Sequence, residues 1–133
     1  MLLPLPAAAV RTRSMKFHAD LITVRCGAGT REHLVELARI MYIAFFLQRA
    51  GYGALPLERF HDAEHLMEQA NRRGAETDVW FLDTNGYPVF AEILTLHDQQ
   101  LAEAPTRAIV AAEDALLRFV SGPAGSPLPP RAD

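Results

Sequence analysis

The chain has 133 residues, half of them hydrophobic and 22% charged, with a formal net charge of -3 at pH 7. These values are typical of one soluble globular domain. The 16 acidic against 13 basic residues argue against nucleic acid as a partner, because such binding depends on neutralising phosphates. Cys26 is the single cysteine, which excludes an internal disulfide framework and favours the reducing cytoplasm.

Both ends of the chain are predicted to lie outside the folded domain. Residues 1–15 begin with a Pro- and Ala-rich run that the arginines follow instead of preceding, which does not fit a secretory signal. We expect a flexible extension here, with Met15 as an alternative start. Residues 122–133 contain four prolines and no apolar periodicity, which predicts a disordered tail. Residues 16–121 then form a single domain.

The domain is predicted to open with a β-strand over residues 17–26, because residues 22–24 are all β-branched and favour an extended backbone. A helix follows over residues 30–50, with Thr30 as its N-cap and Gly51 at its end. Its apolar side chains recur at helical spacing: Leu34, Leu37, Ala38, Met41 and Phe45.

The second half of this helix, residues 40–47, is apolar around its whole circumference. The stretch is too short to span a membrane, which needs about 18 apolar residues, so we expect no membrane partner. A helix without a polar face must be buried on all sides, and a small domain has little room to do so. We therefore expect a homodimer whose interface contains Met41, Tyr42, Phe45 and Phe46. The alternative is that other elements of the same chain cover this segment.

A second helix is predicted from about Pro56 to Gly74, with Leu57, Phe60, Ala63, Leu66, Met67 and Ala70 on one side. Residues 79–82 and 87–96 are then predicted to pair as a β-hairpin around Asn85-Gly86, with Pro88 near a sheet edge. A helix over residues 89–101 is the competing interpretation. The last helix is predicted over residues 106–120. The expected fold is therefore α+β, a small antiparallel sheet of the N-terminal strand and the hairpin packed against three helices.

A metal-binding hypothesis comes from His61-Asp62-Ala63-Glu64-His65. These residues fit the H-x-x-E-H pattern, in which two histidines one helical turn apart bind zinc and the glutamate acts as a base. However, the apolar stripe of the helix lies opposite His61 and His65, which places them toward solvent. We expect no cofactor, with zinc on His61 and His65 as the alternative.

A candidate anion site lies where the predicted strand meets the first helix. Gly27, Gly29, Thr30 and Arg31 combine a glycine-rich turn, a helix N-terminus and a positive charge, which can together hold an anion. The spacing matches neither a dinucleotide loop nor a phosphatase loop.

No catalytic residue is predicted. The three serines, Ser14, Ser121 and Ser126, all lie in or beside the expected flexible ends, so they provide no nucleophile. His97 and Asp98 are a histidine–carboxylate pair, but adjacent residues seldom face each other. A further hypothesis is an apolar ligand pocket lined by aromatic side chains: Tyr42, Phe45, Phe46, Tyr52 and Trp80.

The residues favour a small cytoplasmic, non-enzymatic module that self-associates and binds an unidentified protein partner. One alternative is a metal-dependent hydrolase using His61, Glu64 and His65. The other is a DNA-binding regulator in which Arg72 and Arg73, at the end of the second helix, approach DNA.

Overall fold

The computed structural model describes residues 3–123 and 125–131, and over this part of the chain the fold is a bundle of five helices without a sheet. The helices are α1 (Ala7–Arg25), α2 (Arg31–Arg49), α3 (Leu57–Thr77), α4 (Gly86–Glu103) and α5 (Thr106–Val120). Extended pairing among these residues is limited to two isolated bridges, Pro4 with Pro105 and Gly29 with Trp80. The predicted α+β class is therefore wrong.

Helix α2 lies at the centre of the bundle and contacts each of the other four helices. This position explains why residues 40–47 need no polar face. Six of their side chains are at most 4% exposed: Ile40, Met41, Ile43, Ala44, Phe45 and Leu47. Tyr42 and Phe46 are partly buried. The alternative of coverage by the same chain accounts for most of this segment.

The predicted strand over residues 17–26 is wrong, because residues 17–25 belong to α1 and Cys26 is its C-cap. Phe17, Leu21 and Val24 are buried at intervals of four and three residues, the spacing of one helix face, and they pack mainly toward α4 and α2. The β-branched residues 22–24 lower helix propensity by less than about 1 kcal/mol each. Burial of three large side chains outweighs that preference.

The predicted hairpin is also wrong, because the chain begins α4 at Gly86. Asn85 has φ -79°, so it does not adopt the positive φ of a tight hairpin turn. Instead, the Asp83 carboxylate accepts hydrogen bonds from the backbone amides of Asn85 (3.0 Å) and Gly86 (2.9 Å). Pro88 is the third residue of α4, where its missing N–H costs no intrahelical bond. The competing helical interpretation of this segment is confirmed.

Residues 79–82, predicted as a strand, form the connection between α3 and α4. Trp80 places its indole ring against Gly74, where a Cβ atom would overlap the ring. Gly74 does not end the helix as predicted, because α3 continues to Thr77. Its role is to admit the indole to the surface of the helix.

The remaining predicted helices are confirmed. Helix α2 follows Thr30, whose backbone N–H donates to Nδ1 of His33 (2.9 Å), and ends before Gly51. Helix α3 buries the apolar stripe expected of it, including Phe60, Met67 and Ala70. Helix α5 has the predicted bounds.

The described parts of both ends contact the bundle. Helix α1 begins nine residues before the predicted domain boundary at Lys16, and the backbone N–H of Thr106 donates to the carbonyl of Leu3 (3.1 Å). Near the other end, Leu128 is only 8% exposed. Met1, Leu2, Ala124, Ala132 and Asp133, which belong to the predicted extension and tail, lie outside the described residues.

Among the helices described, none combines the length and the apolar character that crossing a bilayer requires.

Candidate functional site

An apolar groove of about 490 Å³ runs between α2 and α5, with α3 at one side. We call it the α2–α5 groove. Its lining residues are Val35, Ala38, Arg39 and Tyr42 of α2, Asn71 of α3, and Glu113, Leu116, Leu117 and Val120 of α5.

The groove exposes aliphatic side chains that would normally be buried. Val35 is 54% exposed, Leu117 is 64% exposed and Val120 is 62% exposed. Large aliphatic side chains scattered singly over a surface are ordinary, but neighbouring ones around a concave surface mark an interaction site.

The sequence of α5 explains this exposure. Its inner stripe, Ile109, Ala112 and Leu116, is buried against the bundle. Beside it, Val110 and Leu117, seven residues apart, form a second apolar line that remains exposed, and Val120 continues the inner stripe into an exposed last turn. Helix α5 therefore has more apolar surface than the chain itself covers.

A pair of opposite charges borders the groove. Arg39 of α2 donates to Glu113 of α5 (2.8 Å), and a second nitrogen of Arg39 lies 3.5 Å from Glu36. Each of these side chains is about a third exposed, so the pairs add little to stability in water. Their contribution is to hold both signs of charge beside the apolar surface.

Tyr42 joins the groove to α3. Its ring centroid lies 6.0 Å from that of Phe119, and its hydroxyl donates to Oε2 of Glu64 (2.7 Å). Burial, reinforced by this hydrogen bond and the negative charge of Glu64, raises the pKa of Tyr42 far above its ordinary value. The phenol therefore stays protonated and remains a donor to the carboxylate.

The four residues predicted for a dimer interface do not share one surface. Met41 and Phe45 belong to the core, at 0% and 4% exposure. Tyr42 lines the α2–α5 groove, whereas Phe46 faces a separate shallow surface that includes the alanines of α5. Tyr42 is thus the member of the predicted set that lies in the groove.

The residues predicted to bind zinc are divided between different environments. His61 is half-buried, and its Nε2 atom has no hydrogen-bond partner, whereas His65 is exposed. Glu64 lies between them and accepts hydrogen bonds from the hydroxyls of Tyr42 and Ser126. Across residues 3–123 and 125–131, no cluster of three or more His, Cys, Asp or Glu side chains could hold a metal ion.

The predicted anion loop forms a turn, but its backbone amides are largely occupied. The amides of Gly27 and Ala28 donate to carbonyls at the end of α1, and that of Thr30 donates to His33. A Cβ atom on Gly29 would come within 2.9 Å of the Trp80 carbonyl oxygen, so this glycine permits the close approach of the α3–α4 connection. Arg31 is exposed at the start of α2.

His97 and Asp98 point to different partners. His97 is buried, with Nδ1 lying 3.0 Å from Oε1 of Gln100. The Gln100 amide nitrogen in turn donates to the carbonyls of Ala44 (2.9 Å) and Tyr52 (2.8 Å). Asp98 instead lies 2.9 Å from Nε2 of His18 on α1. His97 and Asp98 therefore make hydrogen bonds to different residues and form no catalytic pair with each other.

The aromatic residues proposed for a ligand pocket do not line a common cavity. Tyr42, Phe46 and Trp80 border three different surface depressions. Phe45 packs edge-on against Phe60 in the core (5.7 Å between ring centroids).

The α2–α5 groove was not predicted from the sequence, because the most apolar segment, residues 40–47, lies mostly in the core and contributes Tyr42 alone to the groove. The available signal was in α5, where Val110 and Leu117 fall outside the main apolar stripe. An amphipathic helix with a second stripe of large aliphatic residues indicates a surface left for a partner.

No protein-family model, curated protein or solved structure matches this chain.

Proposed function

We propose that this protein is a small, cytoplasmic, non-enzymatic protein-binding module, and that it self-associates through the α2–α5 groove. The observation that carries the proposal is the exposure of Val35, Leu117 and Val120, each above one half, around a single concave surface. Removing such side chains from water is worth roughly 25 cal/mol for each Å² of apolar surface buried. The exposed free thiol of Cys26 supports a reducing compartment.

A second copy of the chain suits this surface because the surface contains both a ridge and a groove. Leu117 and Val120 project from α5, and the floor beside them is built from Ala38, Tyr42 and Leu116. In a two-fold dimer, the ridge of one copy enters the groove of the other, and the reverse contact forms by symmetry.

The charges beside the groove are compatible with this arrangement. Arg39 and Glu113 carry opposite signs and are both partly exposed. A two-fold axis near them would place Arg39 of each copy close to Glu113 of the other. Such complementary placement favours one orientation of the two copies.

The two alternative functions receive less support from the geometry. Glu64, the base in the hydrolase hypothesis, is engaged by two hydroxyls. Arg73, one of the arginines in the DNA hypothesis, donates to the carbonyl of Phe81 (2.9 Å) and stacks on its ring. Neither arrangement leaves the residue free for the role suggested by the sequence.

Substitutions on the groove test this proposal. Leu117→Asp and Val35→Asp place a charge on opposite walls, so we expect either change to shift the protein from dimer to monomer in light scattering coupled to size exclusion. Both side chains are more than half exposed, so the fold should be retained. The matched control is Ile22→Asp on α1, where the native side chain is 52% exposed and does not line the groove. Equal effects of all three substitutions would contradict the proposed location.

A further inference from the structure

The C-terminal segment, residues 126–131, lies on α3 and marks a second contact surface. Ser126 donates through Oγ to Oε2 of Glu64 (2.5 Å), and Arg131 donates to Oδ1 of Asp62 (3.0 Å). Between these anchors, Leu128 is only 8% exposed. Since residue numbers rise along the segment as they fall along α3, the two run antiparallel.

The surface beneath the segment is complementary to it in charge. Besides Asp62, the Arg131 guanidinium lies 3.9 Å from Glu58, one helical turn earlier on α3. Glu58 and Asp62 therefore form a pair of carboxylates on one face of α3 that receives the Arg131 cation, while Glu64, farther around the helix, receives the Ser126 hydroxyl. Both ends of the bound segment are thus recognised by polar groups, with an apolar side chain between them.

The segment does not fill the space available. A cavity of about 550 Å³ remains beside it, lined by Phe45, Gln48 and Arg49 of α2, Leu57 of α3, and Pro127, Leu128 and Pro129 of the segment itself. An incoming chain could therefore place additional apolar surface against Phe45 and Leu57 while it reproduces the contacts of Leu128.

The contacts that hold the segment are few: one buried side chain, one hydroxyl hydrogen bond and ion pairs of partly exposed groups. Opposing them is the entropy of ordering six residues. Pro127, Pro129 and Pro130 reduce this cost because each ring already fixes its φ angle. The same property makes proline-rich segments of other proteins suitable ligands for grooves with apolar and aromatic walls.

We propose that this surface of α2 and α3 is a recognition site for a proline-rich segment of a partner protein, with leucine and arginine three residues apart. The chain's own residues 126–131 occupy the site as a tethered competitor. This site is separate from the α2–α5 groove, although Glu64, through its bond to Tyr42, adjoins both.

The test uses a fluorescently labelled peptide, GSPLPPR, with the sequence of residues 125–131, added to the full chain. In the Leu128→Asp chain, a charge replaces the one buried apolar side chain of the segment, and the cost of burying that charge releases the tethered segment. We expect the peptide to bind this chain about tenfold more tightly than it binds the wild-type chain, because intramolecular competition is lost. Fluorescence anisotropy measures both affinities.

Charge exchange tests whether the proposed contacts are used. On the Leu128→Asp chain, a peptide with Arg131→Glu should bind about fivefold more weakly, since it loses a partly exposed ion pair. Adding Asp62→Arg to the Leu128→Asp chain should restore binding of the Arg131→Glu peptide. The Ile22→Asp chain is the matched control and should bind the original peptide as weakly as the wild type does.

Two results would overturn the proposal: equal affinity of the peptide for the wild-type and Leu128→Asp chains, or indifference to Arg131→Glu. A fall in molecular mass caused by Leu128→Asp would also overturn it, because the segment would then be exchanged between copies instead of competing within one chain. Leu117→Asp should leave peptide binding unchanged, so the outcome is independent of self-association through the α2–α5 groove.

Discussion

At the scale of single residues, His97 shows how burial changes the chemistry of a side chain. Burial lowers the pKa of His97 below its ordinary value, and the nearby guanidinium groups of Arg13 and Arg39 act in the same direction. The hydrogen bond to Gln100 and the charge of Asp98 oppose this shift but are smaller. His97 is therefore neutral in the folded protein under conditions where an unfolded histidine binds a proton.

This shift predicts a loss of stability in mild acid. Below about pH 6.5, the ordinary histidine pKa, the unfolded chain binds more protons at His97 than the folded chain does. The free energy of unfolding therefore decreases as the pH is lowered. The variant His97→Gln cannot titrate there and should show a weaker fall between pH 7 and pH 5. Urea unfolding at several pH values measures both. Identical pH profiles for the two proteins would show that His97 does not contribute.

At the scale of the secondary structure elements, the start of α4 depends on one carboxylate. The Asp83 carboxylate accepts hydrogen bonds from the amides of Asn85 and Gly86 at the N-terminus of α4, and the Asp83 backbone carbonyl also accepts from Gly86 (3.0 Å). We expect Asp83→Ala to lower the free energy of unfolding by about 1 kcal/mol, the usual loss for an N-terminal cap. Asp83→Asn, which retains an acceptor oxygen, should lose less.

The neighbouring Thr84 provides a control for this cap. It is exposed and belongs to the same connection, but the cap bonds are made by Asp83. Thr84→Ala should therefore leave the free energy of unfolding nearly unchanged. If Asp83→Ala and Thr84→Ala unfold at the same urea concentration, the carboxylate is not the cap of α4.

The elements that the sequence predicted well are those with both clear boundaries and a long apolar period. Helices α2, α3 and α5 have Thr30, Pro56 and Pro105 at their starts, and their buried side chains recur at helical spacing. The errors arose where a local preference competed with a long-range contact. In α1 the β-branched run concealed the spacing of Phe17, Leu21 and Val24, and in α4 Asn85-Gly86 has the composition of both a turn and a helix start.

At the scale of the whole molecule, the most apolar part of the chain and the candidate docking surface are different places, because α2 is central in the bundle. The most apolar segment, residues 40–47, is covered mostly by the other four helices, so its composition reflects its place in the bundle. The α2–α5 groove, the candidate docking surface, has fewer apolar residues than residues 40–47, but those it has are more exposed to solvent. The exposed aliphatic residues of α5 are visible in the sequence, but the groove itself depends on which helices pack together, because Val35 and Leu117 line it from two helices that are distant along the chain.

The dependence of molecular mass on concentration tests the central claim most directly. Sedimentation velocity of the wild-type protein over a dilution series should show conversion from one chain to two as concentration rises, while Leu117→Asp remains a single chain throughout. A wild-type protein that stays monomeric at every concentration, or a Leu117→Asp protein that associates as the wild type does, would contradict self-association through the α2–α5 groove.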